Sequence, residues 1–264
     1  MAQGTARAAV EGVRTIAYRV QFQTEARYQS VQYGGNSIYN SACGPASLCN
    51  ALSALGIAEV DIPTMCRLAV SCGARVSGGT VMATLLKQAS QNYQFRYKTT
   101  SKNAELLAHL NAGGAAILNQ GDAYGVFANG GHYVAAVKAT GETITVLDSY
   151  WNSTKYLSWP QHHAKRTGQK GVVQASLTQC GKATIDRAPS YYLIARAADI
   201  PEPKEDDMTY YKNLDDIPEY YRPAVQKLVN AGAIAGTGDG LNLSEDLCRA
   251  FAILDNIGLL PGEV

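Results

Sequence analysis

Helix-like periodicity fills the first half of this chain and short strand-like runs fill the second, and that order leaves few folds open. "CGPASLCNALSALG" places apolar residues at helical spacing and stops at Gly56. "DIPTMCRLAVSCG" predicts a second helix, with Pro63 in its first turn and Gly73 behind it. "SGGTVMATLLKQASQNY" predicts a third, capped by Thr80, and "SKNAELLAHLNAGG" a fourth, capped by Ser101 and stopped at Gly113. Then the period changes. "AAILN" (115–119), "HYVAAVKA" (132–139), "TITVLD" (143–148) and "SYYLIARA" (190–197) are β-rich runs bounded by Gly, Asn or Asp. "KATGET" reads as a hairpin turn between two of them. The stretch from Trp151 to about Thr184 reads as long polar loops with one short strand at "GVVQASL". Helices first and an antiparallel sheet second predict an α+β fold.

The 264 residues are 46% hydrophobic and 17% charged, the balance of an ordinary globular protein. Twenty-three basic and 22 acidic residues leave a net charge of +1, which argues against a nucleic-acid binder or a polybasic membrane protein. No apolar run approaches the roughly 18 residues of a membrane span. Glu11 and Arg14 interrupt the N-terminal stretch where a secretion signal needs apolar residues, so synthesis in the cytoplasm without a signal peptide is expected. Six cysteines in a chain of this length do not suggest a disulfide framework, and Cys43, Cys49, Cys66 and Cys72 contain no Cys-x-x-Cys pair for zinc. Nothing calls for a metal or an organic cofactor.

Cys43 stands where "SIYNSA" gives way to the first helix. A helix N-terminus favours a thiolate, the reactive form of cysteine, and its free N–H groups can serve an oxyanion. Gly44 allows close approach and Pro45 suits the first helical turn. A cysteine nucleophile needs a base. Of four histidines, His109 lies in a helix, on its expected solvent side, and His162 and His163 in a polar loop. Only His132 opens a strand, and the next strand ends in Asp148, which two adjacent antiparallel strands bring near it. Tyr124, Tyr133, Tyr150 and Trp151 are candidates to line the cleft.

"SACGPASLCNAL", "GHYVAAV" and "ITVLDSY" together resemble the motifs of papain-like peptidases of the bacteriocin-processing (double-glycine peptidase) superfamily, especially its free-standing C39-like branch. The resemblance spans about residues 18–197. It implies a papain-like fold, with Cys43 as nucleophile, His132 as general base and acid, and Asp148 as the orienting residue. It also implies an upstream glutamine that completes the oxyanion hole. Gln23 in "QTEARY" fits best, with Gln21, Gln29 and Gln32 as competitors. Glu25 and Tyr28 replace the family's Asp and Trp in that run, and no transporter segment accompanies the domain.

The peptidase domain is therefore expected over 1–198. Pro201, Pro203 and the acidic run Glu205–Asp207 mark a linker over 199–208. Residues 209–264 read as two helices around a loop and resemble one S-layer homology module, through Leu214, Asp216, Pro218, Tyr221, Gly232, Ile234, Gly236, Asp239 and Gly240. Cys248 and Phe251 replace the family's Thr and Glu around Arg249. Such a module implies binding to a cell-wall glycopolymer or, as a small helical unit, packing or homo-oligomerisation. The expected function is a phage-endolysin-like cysteine endopeptidase for peptidoglycan peptides, acting at the wall after release. The alternatives are leader removal or self-cleavage on a protein or peptide substrate, acyl transfer, and a non-catalytic papain-like binding protein.

Overall fold

The computed structural model describes residues 17–157, 164–197 and 210–260, except 237 and 239. The expected linker, His162, His163 and Asp239 lie outside the described residues. The chain divides into two compact units, Met1–Ile200 and Pro201–Val264.

In the first unit a hairpin, β1 (Gln32–Tyr33) and β2 (Asn36–Ser37), leads into α1 (Ile38–Ser41). The Ser37 hydroxyl accepts the Asn40 N–H and caps that helix. Next come α2 (Cys43–Ala54) and α3 (Ile62–Ser71), the latter capped by Asp61. A second hairpin, β3 (Arg75–Val76) and β4 (Gly79–Thr80), precedes α4 (Met82–Tyr93). The remainder runs β5 (Phe95–Thr100), α5 (Asn103–Asn111), β6 (Ala115–Gln120), β7 (His132–Thr140), β8 (Thr143–Leu147), β9 (Lys165–Arg166), β10 (Val172–Ser176), α6 (Leu177–Ala183) and β11 (Tyr191–Arg196). The α+β order expected from the sequence holds.

Seven strands form one antiparallel sheet in the order β5-β11-β6-β7-β8-β10-β9. Strand alternation splits its side chains between two cores. Ala115, Ile117, Ala135, Leu147 and Ile194 join the core shared with α2, α3 and α4. Ala116, Leu118, Val134, Val146 and Leu193 join the core shared with α5 and α6. Each large apolar side chain so buried contributes roughly 1.5–3 kcal/mol. The sheet is thus covered on both faces, which explains why its central strands read as near-continuous apolar runs.

Three local expectations are corrected. Thr80 does not cap α4: it belongs to β4, Val81 precedes the helix, and the Thr80 hydroxyl hydrogen-bonds the Tyr33 hydroxyl at 2.7 Å. Ser101 does not cap α5; its Oγ accepts the Ser190 N–H at 3.1 Å instead. His109 does not face solvent, because its Nε2 reaches across Gly114 to the carbonyls of Ala115 and Ile194 at 3.1 and 2.9 Å. β5 and α6 are additional to the elements predicted. The second has a local signal: Ser176 and Gln179 form a reciprocal capping box.

The second unit holds β12 (Tyr210–Tyr211), paired with β13 (Leu243–Ser244), and the helices α7 (Arg222–Asn230) and α8 (Glu245–Asn256). Tyr211, Ile217, Val225, Leu243 and Cys248 make its small core. Lys227 pairs with Asp255 at 2.8 Å between the helices. No helix among the described residues is long and apolar enough to cross a membrane.

Candidate active site

Cys43 is the first residue of α2, at the end whose N–H groups have no partner within the helix. Gly44 lets that end approach β4: a Cβ there would lie 3.0 Å from Thr80 Cβ and 3.2 Å from the Met82 methyl. Ser47, one turn on and on the same helix face, donates its hydroxyl to the Tyr133 carbonyl at 2.8 Å. That bond fixes α2 on β7 and sets Cys43 beside His132, the neighbour of Tyr133.

His132 is delivered by the loop between β6 and β7, and Gln120 organises that loop. Its buried amide accepts from the Val126 and Phe127 N–H groups at 3.1 and 2.6 Å and donates to the Ala128 and Gly130 carbonyls at 2.9 and 2.8 Å. The Asp122 carboxylate takes the Gly131 N–H at 2.7 Å. On the other side of β7, the register pairs Ala135 with Leu147, so Asp148 follows on opposite Val134 and is a diagonal neighbour of His132 on the same face of the sheet. His132 Nε2 lies 2.9 Å from Asp148 Oδ1. That leaves Nδ1 as the nitrogen for Cys43.

Asp148 is fully buried and its two oxygens are divided. Oδ1 serves His132 and accepts the Tyr150 N–H at 3.0 Å; Oδ2 accepts from Lys155 Nζ at 2.5 Å and the Tyr156 hydroxyl at 2.6 Å. Lys155 is itself buried, donates to the Tyr150 carbonyl at 2.8 Å, and sits 5.2 Å from the ring centres of both Tyr150 and Tyr156. Burial alone would push the Asp148 carboxyl up, but the charges of Lys155 and His132 outweigh it and hold the group far below the usual carboxylate range. Burial works against a charged His132, yet Asp148 and Cys43 outweigh it and raise the imidazole above its ordinary value, with Lys155 opposing them. Burial likewise pushes the Cys43 thiol up, but its hydrogen bond to His132, the imidazole charge, and the Tyr133 and Gly44 backbone bring it below the ordinary thiol value. The three groups can therefore share a proton as a thiolate–imidazolium pair beside an ionised carboxylate.

Gln23 is buried next to this cluster. Its backbone N–H donates to the Ser149 carbonyl at 3.0 Å, its Oε1 accepts the Ser149 hydroxyl at 2.9 Å, and its Nε2 donates to the Tyr39 carbonyl at 3.1 Å. With Oε1 held by Ser149, the amide's orientation is fixed, and the nitrogen keeps a second N–H beyond the one used by Tyr39. Among the competitors, Gln21 is tied to the Val60 carbonyl at 2.7 Å, and Gln29 and Gln32 are exposed.

A cleft of about 200 Å³ opens on Cys43 and His132. Thr80, Gly78 and Gly79 form one wall, and Gly131 and Tyr133 belong to its lining. Of the aromatic residues expected there, Tyr133 lines it, and Tyr150 stands edge-on to His132 with ring centres 6.2 Å apart. Trp151 packs instead on Tyr156 and under Arg166, whose guanidinium carbon lies 4.6 Å from its ring. Tyr124 packs against the second core. Sequence reasoning missed Lys155, Tyr156, Gln120 and Arg187, which also borders the cleft. Only Gln120 carried a signal, as a polar residue ending an apolar strand. The six cysteines are all free, and no group of three or more metal-ligating side chains occurs among the described residues.

The model of the Peptidase_C39 like family matches residues 14–170, more than half of the chain. No curated protein matches. Among solved structures, one described as a C39-like peptidase from Bacillus anthracis is 12% identical, with a TM-score of 0.42, covering 60% of this chain and 90% of its own. The peptidase domain of Streptococcus ComA, a bifunctional ABC transporter of a quorum-sensing pathway, is 15% identical, with a TM-score of 0.40, covering 59% and 91%. A double-glycine-motif protease from an AMS/PCAT transporter, solved with its leader peptide, is 17% identical, with a TM-score of 0.38, covering 68% and 90%. By the family match over its first unit, the chain belongs to the Peptidase_C39 like family and is a cysteine peptidase.

Proposed function

We propose that Cys43, His132 and Asp148 are the catalytic set of this peptidase, with Gln23 in the oxyanion hole, and that its substrate is a peptide of the bacterial cell wall. The observation that carries the catalytic assignment is the buried His132–Asp148 pair, 2.9 Å apart, beside a thiol at a helix N-terminus. His132 takes the thiol proton and the Cys43 thiolate attacks the amide carbonyl. The Cys43 N–H and the second N–H of the Gln23 amide bind the developing oxyanion. The imidazolium gives its proton to the departing amine, leaving a thioester on Cys43. His132 then takes a proton from water, which attacks the thioester and releases acid and thiol.

The wall substrate is supported by the second compact unit, whose sequence resembles an S-layer homology module. A linked weak binder raises the local concentration of substrate without new catalytic contacts. An endolysin-like role, with action at the wall after release, is part of this reading. A second reading, processing of a protein or peptide substrate, is supported by the glycines of the cleft lining, Gly78, Gly79 and Gly131, which leave room for an extended backbone. The test is digestion of purified walls from several Gram-positive bacteria by the wild type and by Cys43→Ala, following turbidity and released peptides by mass spectrometry. New amine ends with the wild type alone are expected. If walls stay intact while unstructured peptides are cut in a Cys43-dependent way, the second reading replaces the first.

A further inference from the structure

The cleft holds a cation that the catalytic steps do not use. Among the described residues lining it, no side chain is acidic and Arg187 carries the one permanent positive charge. The other polar side chains there already have partners: Thr80 bonds Tyr33, Gln120 is saturated by its own loop, and Asn119 Nδ2 donates to the Pro189 carbonyl at 3.2 Å. Arg187 is different. Its Nε is the one buried side-chain nitrogen or oxygen without a hydrogen-bond partner among the described residues. Its Nη2 makes a single 3.2 Å contact to Asp122 Oδ2, and the two side chains of that pair are 36% and 72% exposed, so water weakens it. Asp122 is also engaged through Oδ1 by the Gly131 N–H. Asp186, beside Arg187, is turned to the Asp122 and Ala123 N–H groups at 2.8 and 3.2 Å. The guanidinium also lies close to the backbone that leads into His132: a Cβ on Gly131 would lie 3.2 Å from Nη2.

A guanidinium with unfilled N–H donors, in a cleft without acids, is matched by a carboxylate, which can take two parallel hydrogen bonds. We propose that Arg187 is the specificity-determining residue of this cleft and receives a carboxylate of the peptide substrate close to the scissile bond. A bound carboxylate turns the half-buried guanidinium from Asp122 towards the cleft and supplies the partner that Nε lacks. The proposal rests on Cys43 being the nucleophile in that cleft.

The test needs no known substrate. Iodoacetate and iodoacetamide both alkylate the Cys43 thiolate, which forms an S–C bond as iodide leaves, and they differ in charge, so their rate ratio reads the cation beside the thiol. Site-resolved mass spectrometry on the full chain gives that ratio for the wild type, Arg187→Gln and Arg187→Lys. The iodoacetate-to-iodoacetamide ratio is expected to fall roughly threefold to tenfold in Arg187→Gln and to stay near wild type in Arg187→Lys, as for a charge acting across several ångströms of a partly wet cleft. Protection of Cys43 from iodoacetamide separates the two sources of the carboxylate: an internal glutamate in an end-blocked peptide, or a free C-terminus on a glutamate-free one. Protection by either that exceeds that of an uncharged, end-blocked control and is lost in Arg187→Gln supports the proposal. An unchanged ratio in Arg187→Gln, or protection no better than by the control, overturns it. Slow labelling of Cys43 by both reagents in the wild type would instead strike the catalytic assignment, and this proposal with it.

Discussion

The start and the middle of α2 treat a thiol in opposite ways. Cys43, at the N-terminus, lines the cleft, and Cys49, six residues on in the interior, is buried in the core shared with the sheet. Burial pushes the Cys49 thiol far above its ordinary value, and the charges of Cys66 and Asp61 add to that. Burial acts on Cys43 too, but there His132 and the backbone reverse it. Reactivity in this helix therefore does not come from helix membership. It comes from an imidazole brought across by β7 and from N–H groups that only the first turn offers.

Removing the imidazole should make the two thiols more alike. His132→Ala is expected to lower kcat/KM on the order of 10⁴-fold or more, and to return the Cys43 thiol towards its ordinary value in thiol titrations. The next effect should come from behind the imidazole. Lys155→Met leaves the buried Asp148 with one charge partner fewer and should cost about 3–5 kcal/mol in denaturant unfolding. It should also change the pH profile. Activity rises as pH passes the depressed Cys43 value and falls as it passes the raised His132 value, because the ion pair exists between them. Lys155 works to lower His132, so its loss moves the falling limb to higher pH. Gln23→Ala should reduce kcat about a hundredfold while leaving that profile in place, since it removes an oxyanion donor and no titrating group. Cys49→Ala should cost only about 1 kcal/mol of stability and keep activity, in contrast to Cys43→Ala.

The same contrast separates what was legible in the sequence from what was not. The strands around 115–119, 132–139 and 143–148 were legible because burial on both faces makes them nearly continuous apolar runs. β5, "FRYKTT", was not, because it is an edge strand with Phe95 as its one fully buried residue. Cys43, His132 and Asp148 could be brought together from the sequence because a hairpin turn and a helix start fix their neighbourhoods locally. Lys155 could not. It lies in a polar stretch without periodicity, and only closure of that loop over Asp148 gives it a partner. Thr80 and Ser101 looked like helix caps by local pattern, but Tyr33 and Ser190, distant in sequence, take their hydroxyls. Trp151 was expected at the cleft by proximity in sequence to Asp148, and the chain turns it towards Arg166 instead.

The most direct measurement is the pH dependence of iodoacetamide alkylation, resolved for all six cysteines by mass spectrometry on the native chain. Cys43 should react fastest, with a half-maximal rate at a pH below the ordinary thiol value, while Cys49 stays unlabelled until the protein unfolds. If Cys43 titrates at or above that ordinary value, or reacts no faster than the partly exposed Cys72, the account of a nucleophile made by the end of α2 and the His132 imidazole is wrong.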